Sequence, residues 1–147
     1  MQATGTPPSH IPMPDPESVL RTALDAAGVG LFVQAADRSV LYANPAATRI
    51  LRGRDSGLVG LATTIDGTPL RDADDPAATA LHAKGPVAAK VLGIPSDDGT
   101  VQWLQVSATP LESGSVETAA AVCVMVDVGE IVSGRERARR QAERLAQ

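Results

Sequence analysis

Few side chains in this chain of 147 residues are of the kinds that carry covalent, acid–base or metal chemistry. The single cysteine, Cys123, lies in the apolar run 119–126. It reads as a redox-active or nucleophilic thiol, or as a small buried hydrophobe. The second reading is preferred, because free cysteine is among the most buried residue types. One cysteine also excludes an intramolecular disulfide framework and any multi-cysteine zinc or iron–sulfur site. Of the two histidines, His10 falls in a Pro-rich lead. His82 stands alone near the C-terminus of a helical stretch, a favourable place for a cation. No nucleophile–base pair can be read, so Ser-His-Asp and Cys-His catalysis have little to work with. No Gly-rich phosphate loop of standard spacing is present. Asp72, Asp74 and Asp75 cluster in RDADDP, but the twelve-residue calcium loop is missing. The cluster reads as a solvated loop in which Asp75 caps the helix that follows.

Composition narrows the classes further. Thirteen Lys and Arg against seventeen Asp and Glu give a net charge of −4, which argues against a nucleic-acid partner. The length fits one domain. Aromatics are 2% of the chain, namely Phe32, Tyr42 and Trp103, so the core must be built from Ala, Val, Leu and Ile. The start has no basic and apolar halves of a secretory signal. The run 119–126 is far short of the roughly 20 residues that cross a bilayer. The chain as given reads as soluble and cytoplasmic, with no membrane segment of its own.

The elements that must position these residues follow from turn and cap signals. Residues 1–14, rich in proline, read as a disordered lead. Asp15-Pro16 is an N-cap followed by Pro at the first helical position. Val19, Leu20, Ala23, Leu24 and Ala27 then recur at helical spacing up to Gly28. Strands are expected over 29–34 and 39–43, joined by a four-residue turn. Asn44-Pro45 and Asp75-Pro76 each start a helix, the second ending at Gly85. Gly53 and Gly57 break the first. Three strands follow, over 86–94, 101–111 and 119–128, with Asp98-Gly99 and the segment 113–115 as turns. A polar helix covers 130–147. Its Ile131, Ala138 and Leu145 stand seven apart, with Arg135 and Ala142 in the seam, a weak heptad. The order implies an α+β domain: a five-stranded antiparallel sheet with helices inserted on one face.

Three blocks, GVGLFVQAADRSVLYANPAATRIL, GIPSDDGTVQWLQVSATPLE and AAVCVMVDVGE, stand in the order and spacing of a PAS domain, which the chain resembles over roughly 17–130. The domain is bounded at 15–130, leaving 131–147 as a linker with coiled-coil character. In the family the blocks are an opening hairpin running into an Asn-capped helix, a hairpin carrying the long central strand, and a closing strand with an Asp-x-Thr-Glu-like exit. Here the first turn reads Asp37-Arg38-Ser39 where Asp-Gly is frequent. The exit reads Asp127-Val128-Gly129-Glu130, with Gly in the place of the Thr whose hydroxyl helps tie strand to helix.

The resemblance implies which sheet face looks toward the helices. It selects Phe32, Gln34, Leu92, Ile94, Leu104, Val106, Ala108, Ala121, Cys123 and Met125 as the inward face and a candidate pocket for a small apolar ligand. Leu31, Val33, Trp103, Gln105, Ser107, Val122, Val124 and Val126 fall on the other face. The closing strand is thus apolar on both sides and needs cover on both, from the N-terminal helix or a partner subunit. Gln34 is either a ligand contact or a structural hydrogen bond to backbone or water. Flavin-adduct members carry their cysteine in Asn-Cys-Arg; that motif is absent, so adduct chemistry is excluded. Haem through His82 is not expected, since its spacing to Pro86 is shorter than in haem-binding members. No cofactor is anticipated.

The function so implied is that of a sensory or regulatory module, not an enzyme by itself. It would work as a homodimer, binding a small ligand or partner. Asp127 and Glu130 would pass the change to the terminal helix and an output domain in cis. In the family such outputs are histidine kinases of two-component systems, diguanylate cyclases or serine phosphatases. A ligand-free dimerisation module is the alternative. A small enzyme on a cone-like fold ranks last, because the inward face offers Gln34 but no acid.

Overall fold

The computed structural model describes residues 14–112 and 119–146. His10, the lead up to residue 13 and the expected turn at 113–115 lie outside them. Helix α1, Pro16–Ala27, is capped by the Asp15 carboxylate on the Ser18 N–H and closed by Gly28 in the left-handed region. Strands β1 (Gly30–Ala35) and β2 (Val40–Ala43) form the opening hairpin. Helix α2, Pro45–Ile50, and a 3-10 turn, Asp72–Asp74, precede helix α3, Pro76–Ala83. Strands β3 (Val87–Pro95), β4 (Val101–Pro110) and β5 (Ala120–Asp127) complete the sheet, and helix α4, Gly129–Leu145, leaves it.

The sheet has the order β2-β1-β5-β4-β3, with every pair antiparallel. The first and last strand groups therefore meet in the middle, where β1 pairs β5. Register stacks the inward residues in rows. Phe32 faces Cys123, which faces Ala108, and Gln34 faces Ala121. All ten inward residues are buried. Ala47 and Ile50 from α2, Ala77 and Ala80 from α3, and Leu51, Leu58 and Leu70 from the segment between them close the same core. The small Ala side chains let the helices sit near the sheet, as the scarcity of aromatics requires.

Three expectations change. Helix α3 ends one residue early: Lys84, not Gly85, takes the left-handed conformation, with φ 57°. Strand limits move by about one residue at several ends, as fraying backbone pairs allow. Helix α1 covers the outer face only in part: Leu20 and Leu24 stand across a groove from Leu31 and Tyr42 and Leu24 is half-buried, but Val19 and Leu20 are 50% and 58% exposed. Val126 and Tyr42 on the outer face are also exposed. Helix α4 buries no residue, and Ile131 of its heptad stands 57% exposed. No helix among the described residues is long and apolar enough to cross a membrane.

Candidate functional site

The inward face is apolar except at one corner. Gln34 lies on β1, at the point where a bulge shifts its pairing with β2, and is buried. Its Nε2 donates to Asp75 Oδ2 at 2.9 Å. Asp75 is 1% exposed, and the same oxygen accepts the Ala78 N–H at 3.1 Å. The carboxylate is thus both the N-cap of α3 and the partner of a buried amide. The amide orientation is forced, because turning it over would set Oε1 against the carboxylate. Gln34 Oε1 is left with no hydrogen-bond partner among the described residues.

Gly57 makes room for that oxygen. A Cβ at position 57 would collide with Gln34 Oε1, and Gly57 adopts φ +73°, where side chains are strained. The long segment between α2 and α3 therefore has a positional role: its glycine admits the amide and its last aspartate holds it.

Asp75 overturns one expectation. An acid does stand at the inward face, although the sequence pattern of strands showed none. It arrives from the loop side, through the cap of a helix, not from a strand. The cap was legible in Asp75-Pro76; its reach across 41 residues of sequence to Gln34 was not. Asn44 has a second role of the same kind. Its Oδ1 accepts the Ala47 N–H as the α2 cap, and also the Leu31 N–H at 3.0 Å, while Nδ2 donates to the Val29 carbonyl. A buried cap thereby fastens α2 to β1.

Cys123 lies in the same face. Burial, with a smaller contribution from the Asp75 charge, pushes its thiol up to about 12. It is therefore protonated near neutrality and inert as a nucleophile. His82 is exposed on the last turn of α3. Asp72 turns outward to an ion pair with Arg38 at 2.7 Å, and Asp74 pairs with Arg71. Among the described residues no three His, Cys, Asp or Glu side chains converge to hold a metal.

At the exit, Asp127 Oδ1 accepts the Gly129 N–H at 2.8 Å, and Gln102 Nε2 donates to Oδ2 at 3.3 Å. Asp127 thus ties β5 to α4 through backbone, with no hydroxyl needed at position 129. Glu130 is exposed in the first turn of α4. Two surface grooves flank this end. One, of about 350 Å³, is lined by Arg49, Ile50, Gln102 and Asp127 among others. The second, of about 480 Å³, runs between Val91 and Trp103 on the sheet and Val132 to Arg139 on α4.

Comparison with known proteins gives the family. A family model described as the PAS fold matches residues 19–128. No curated protein matches the chain. Among solved structures, an RNA-binding light-oxygen-voltage receptor superposes with a TM-score of 0.60 at 21% identity, over 91% of this chain. This chain spans only 39% of that receptor. A sensory box histidine kinase/response regulator from Burkholderia thailandensis E264 gives 0.56 at 16% identity, covering 86% of this chain and 97% of that one. The PAS domain of nitrogen regulation protein NR(II) from Vibrio parahaemolyticus gives 0.52 at 16%, covering 75% and 98%. Identities this low speak to the fold; the family rests on the matched model over most of the chain, with which the five-stranded antiparallel sheet agrees. This chain belongs to the PAS family.

Proposed function

We propose that this PAS domain is a sensory module of cytoplasmic signalling. It binds a small, mainly apolar ligand at its inward face and relays occupancy through Asp127 and α4 to an output domain in cis. The observation that carries this reading is the Gln34 corner. Gln34 Oε1 has no partner among the described residues, an unmet buried acceptor costs about 1–3 kcal/mol, and a donor from water or from a ligand answers it. A ligand with one N–H or O–H on an apolar body meets that need, with Gln34 Oε1 accepting. Its arrival would shift β1 against Asp75 and α3. Because β1 pairs β5, the shift has a direct route to Asp127. Nothing in the chemistry of the site calls for catalysis: Cys123 is protonated, and Asp75 is committed to a helix cap. Output through a histidine kinase is supported by the Burkholderia thailandensis neighbour, and a homodimer by the partly uncovered apolar face of α1.

A second reading, a ligand-free interaction module, is favoured by one observation: the described grooves lie on the surface while the ten inward residues are packed together. Overpacking separates the two. Ala108→Leu and Ala121→Leu add methylenes at the inward face, Ala121 directly across from Gln34. With a ligand-accepting face, each variant changes stability by less than about 1 kcal/mol in urea melts, because the added groups fill usable space. In a closed core each costs about 1–3 kcal/mol, and the interaction module is then the correct reading.

A further inference from the structure

The β1–β2 hairpin is joined to residues 71–75 twice. Inside, Gln34 donates to Asp75; outside, Arg38 and Asp72 form an ion pair at 2.7 Å. We propose that these two pairs are a clamp on the one corner where the core opens: releasing it parts the hairpin tip from residues 71–75 and exposes the inward face while the rest of the sheet stays folded. The proposal concerns access to the core and holds whether or not a ligand occupies it.

Hydration sets the place of opening. Parting the core elsewhere exposes apolar side chains such as Phe32, Leu92 or Leu104, and the other buried polar side chain, Asn44, is already bonded at both Oδ1 and Nδ2. At this corner water reaches Gln34 Oε1, which has no partner among the described residues, and the buried Asp75 carboxylate. The outer pair is a surface contact and therefore weak and screened by salt. Arg38 holds φ 76°, a left-handed conformation unfavourable for a residue with a Cβ. The Asp72–Asp74 turn has no side-chain cap and no buried residue. Strand β2 is a four-residue edge strand whose strand partner is β1; its Val40 N–H also donates to the Asp55 carbonyl at 2.8 Å, a tie outside residues 71–75.

Cys123 is a built-in reporter. It is the only cysteine, is buried, faces Phe32 on β1, and is close enough to Asp75 to feel its charge. Its labelling by 5,5′-dithiobis(2-nitrobenzoate) therefore requires opening. The experiment measures the labelling rate against urea concentration at pH 8. At low urea the expected dependence on urea is shallow, below about one-third of that for complete unfolding, as for a local opening. Arg38→Asn, which tolerates the left-handed turn, and Asp72→Asn each raise the rate about 2–5-fold. The double variant goes no further than the singles, because both remove one interaction. Added salt speeds the parent and not the variants. Arg140→Gln, which breaks an ion pair with Glu136 on α4, leaves the rate unchanged. Labelling that follows complete unfolding at every urea concentration overturns the proposal. So do Arg38→Asn and Asp72→Asn variants that label at the parent rate.

Discussion

Gln34 and Asp75, 41 residues apart in sequence, meet in the core at 2.9 Å and make it polar at one corner. One carboxylate oxygen serves two donors, the Gln34 amide and the Ala78 backbone N–H. The start of α3 and the hairpin end of β1 are therefore set by the same atom.

Removing that atom should be expensive. Asp75→Ala loses a helix cap and leaves the Gln34 amide buried without an acceptor, for an expected loss of about 2–4 kcal/mol. Asp75→Asn keeps an acceptor for Ala78 and should cost clearly less. Urea denaturation gives both values. An Asp75→Ala loss under 1 kcal/mol would show that the buried contact contributes little.

Gly57→Ala tests the space made for Gln34. Gly67→Ala is its control, since Gly67 also has positive φ but nothing within 4 Å of an added Cβ. Backbone strain alone costs about 1 kcal/mol at either site. The collision with Gln34 Oε1 should make Gly57→Ala worse by at least about 1 kcal/mol more, the scale of overpacking. The excess should vanish when Gln34 is replaced by Ala. Equal losses at the two glycines would mean that Gln34 moves aside freely.

Gly57, Gln34 and Asp75 show where sequence was readable. Caps announce themselves locally, so Asp15, Asn44 and Asp75 could be placed from the proline that follows each. Strand alternation, once the family pattern chose a face, located all ten inward residues. What lay beyond reading was contact between distant segments. Nothing near Asp75 in sequence names Gln34, and a Gly in the long segment 51–75 gives no sign of the side chain it admits. The left-handed turns at Arg38 and Lys84 were equally hidden, since neither residue type prefers that conformation. At the exit Gly129 lacks a hydroxyl, and its backbone N–H supplies the bond to Asp127 instead.

The pH response of Cys123 has a definite sign. Its thiol is raised by burial from 9.0 to about 12 in the folded chain. The folded state then holds a proton that the unfolded state gives up between these values. The stabilising contribution is complete below pH 9 and is lost as pH rises toward 12. Stability of the parent should fall relative to Cys123→Ala over that window, with the difference flat from pH 6 to 8. Parallel curves up to pH 11 would indicate that the thiol is solvated.

The partly uncovered stripe of α1 predicts self-association. Sedimentation equilibrium should report a dimer, and Val19→Asp with Leu20→Asp should weaken it at least about tenfold, since a charge at an apolar interface is costly to desolvate. A parent that stays monomeric at high concentration removes the dimer from the proposed mechanism.

The central claim is that the Gln34 corner of the inward face receives a small molecule. Native mass spectrometry of the chain purified from cells measures this directly. The expected spectrum shows the protein with an added small-molecule mass, present in the parent and absent from Gln34→Leu, which removes the acceptor while keeping an apolar side chain. Parent protein that carries no added mass after gentle purification from its own cells, or an adduct that persists unchanged in Gln34→Leu, would contradict it.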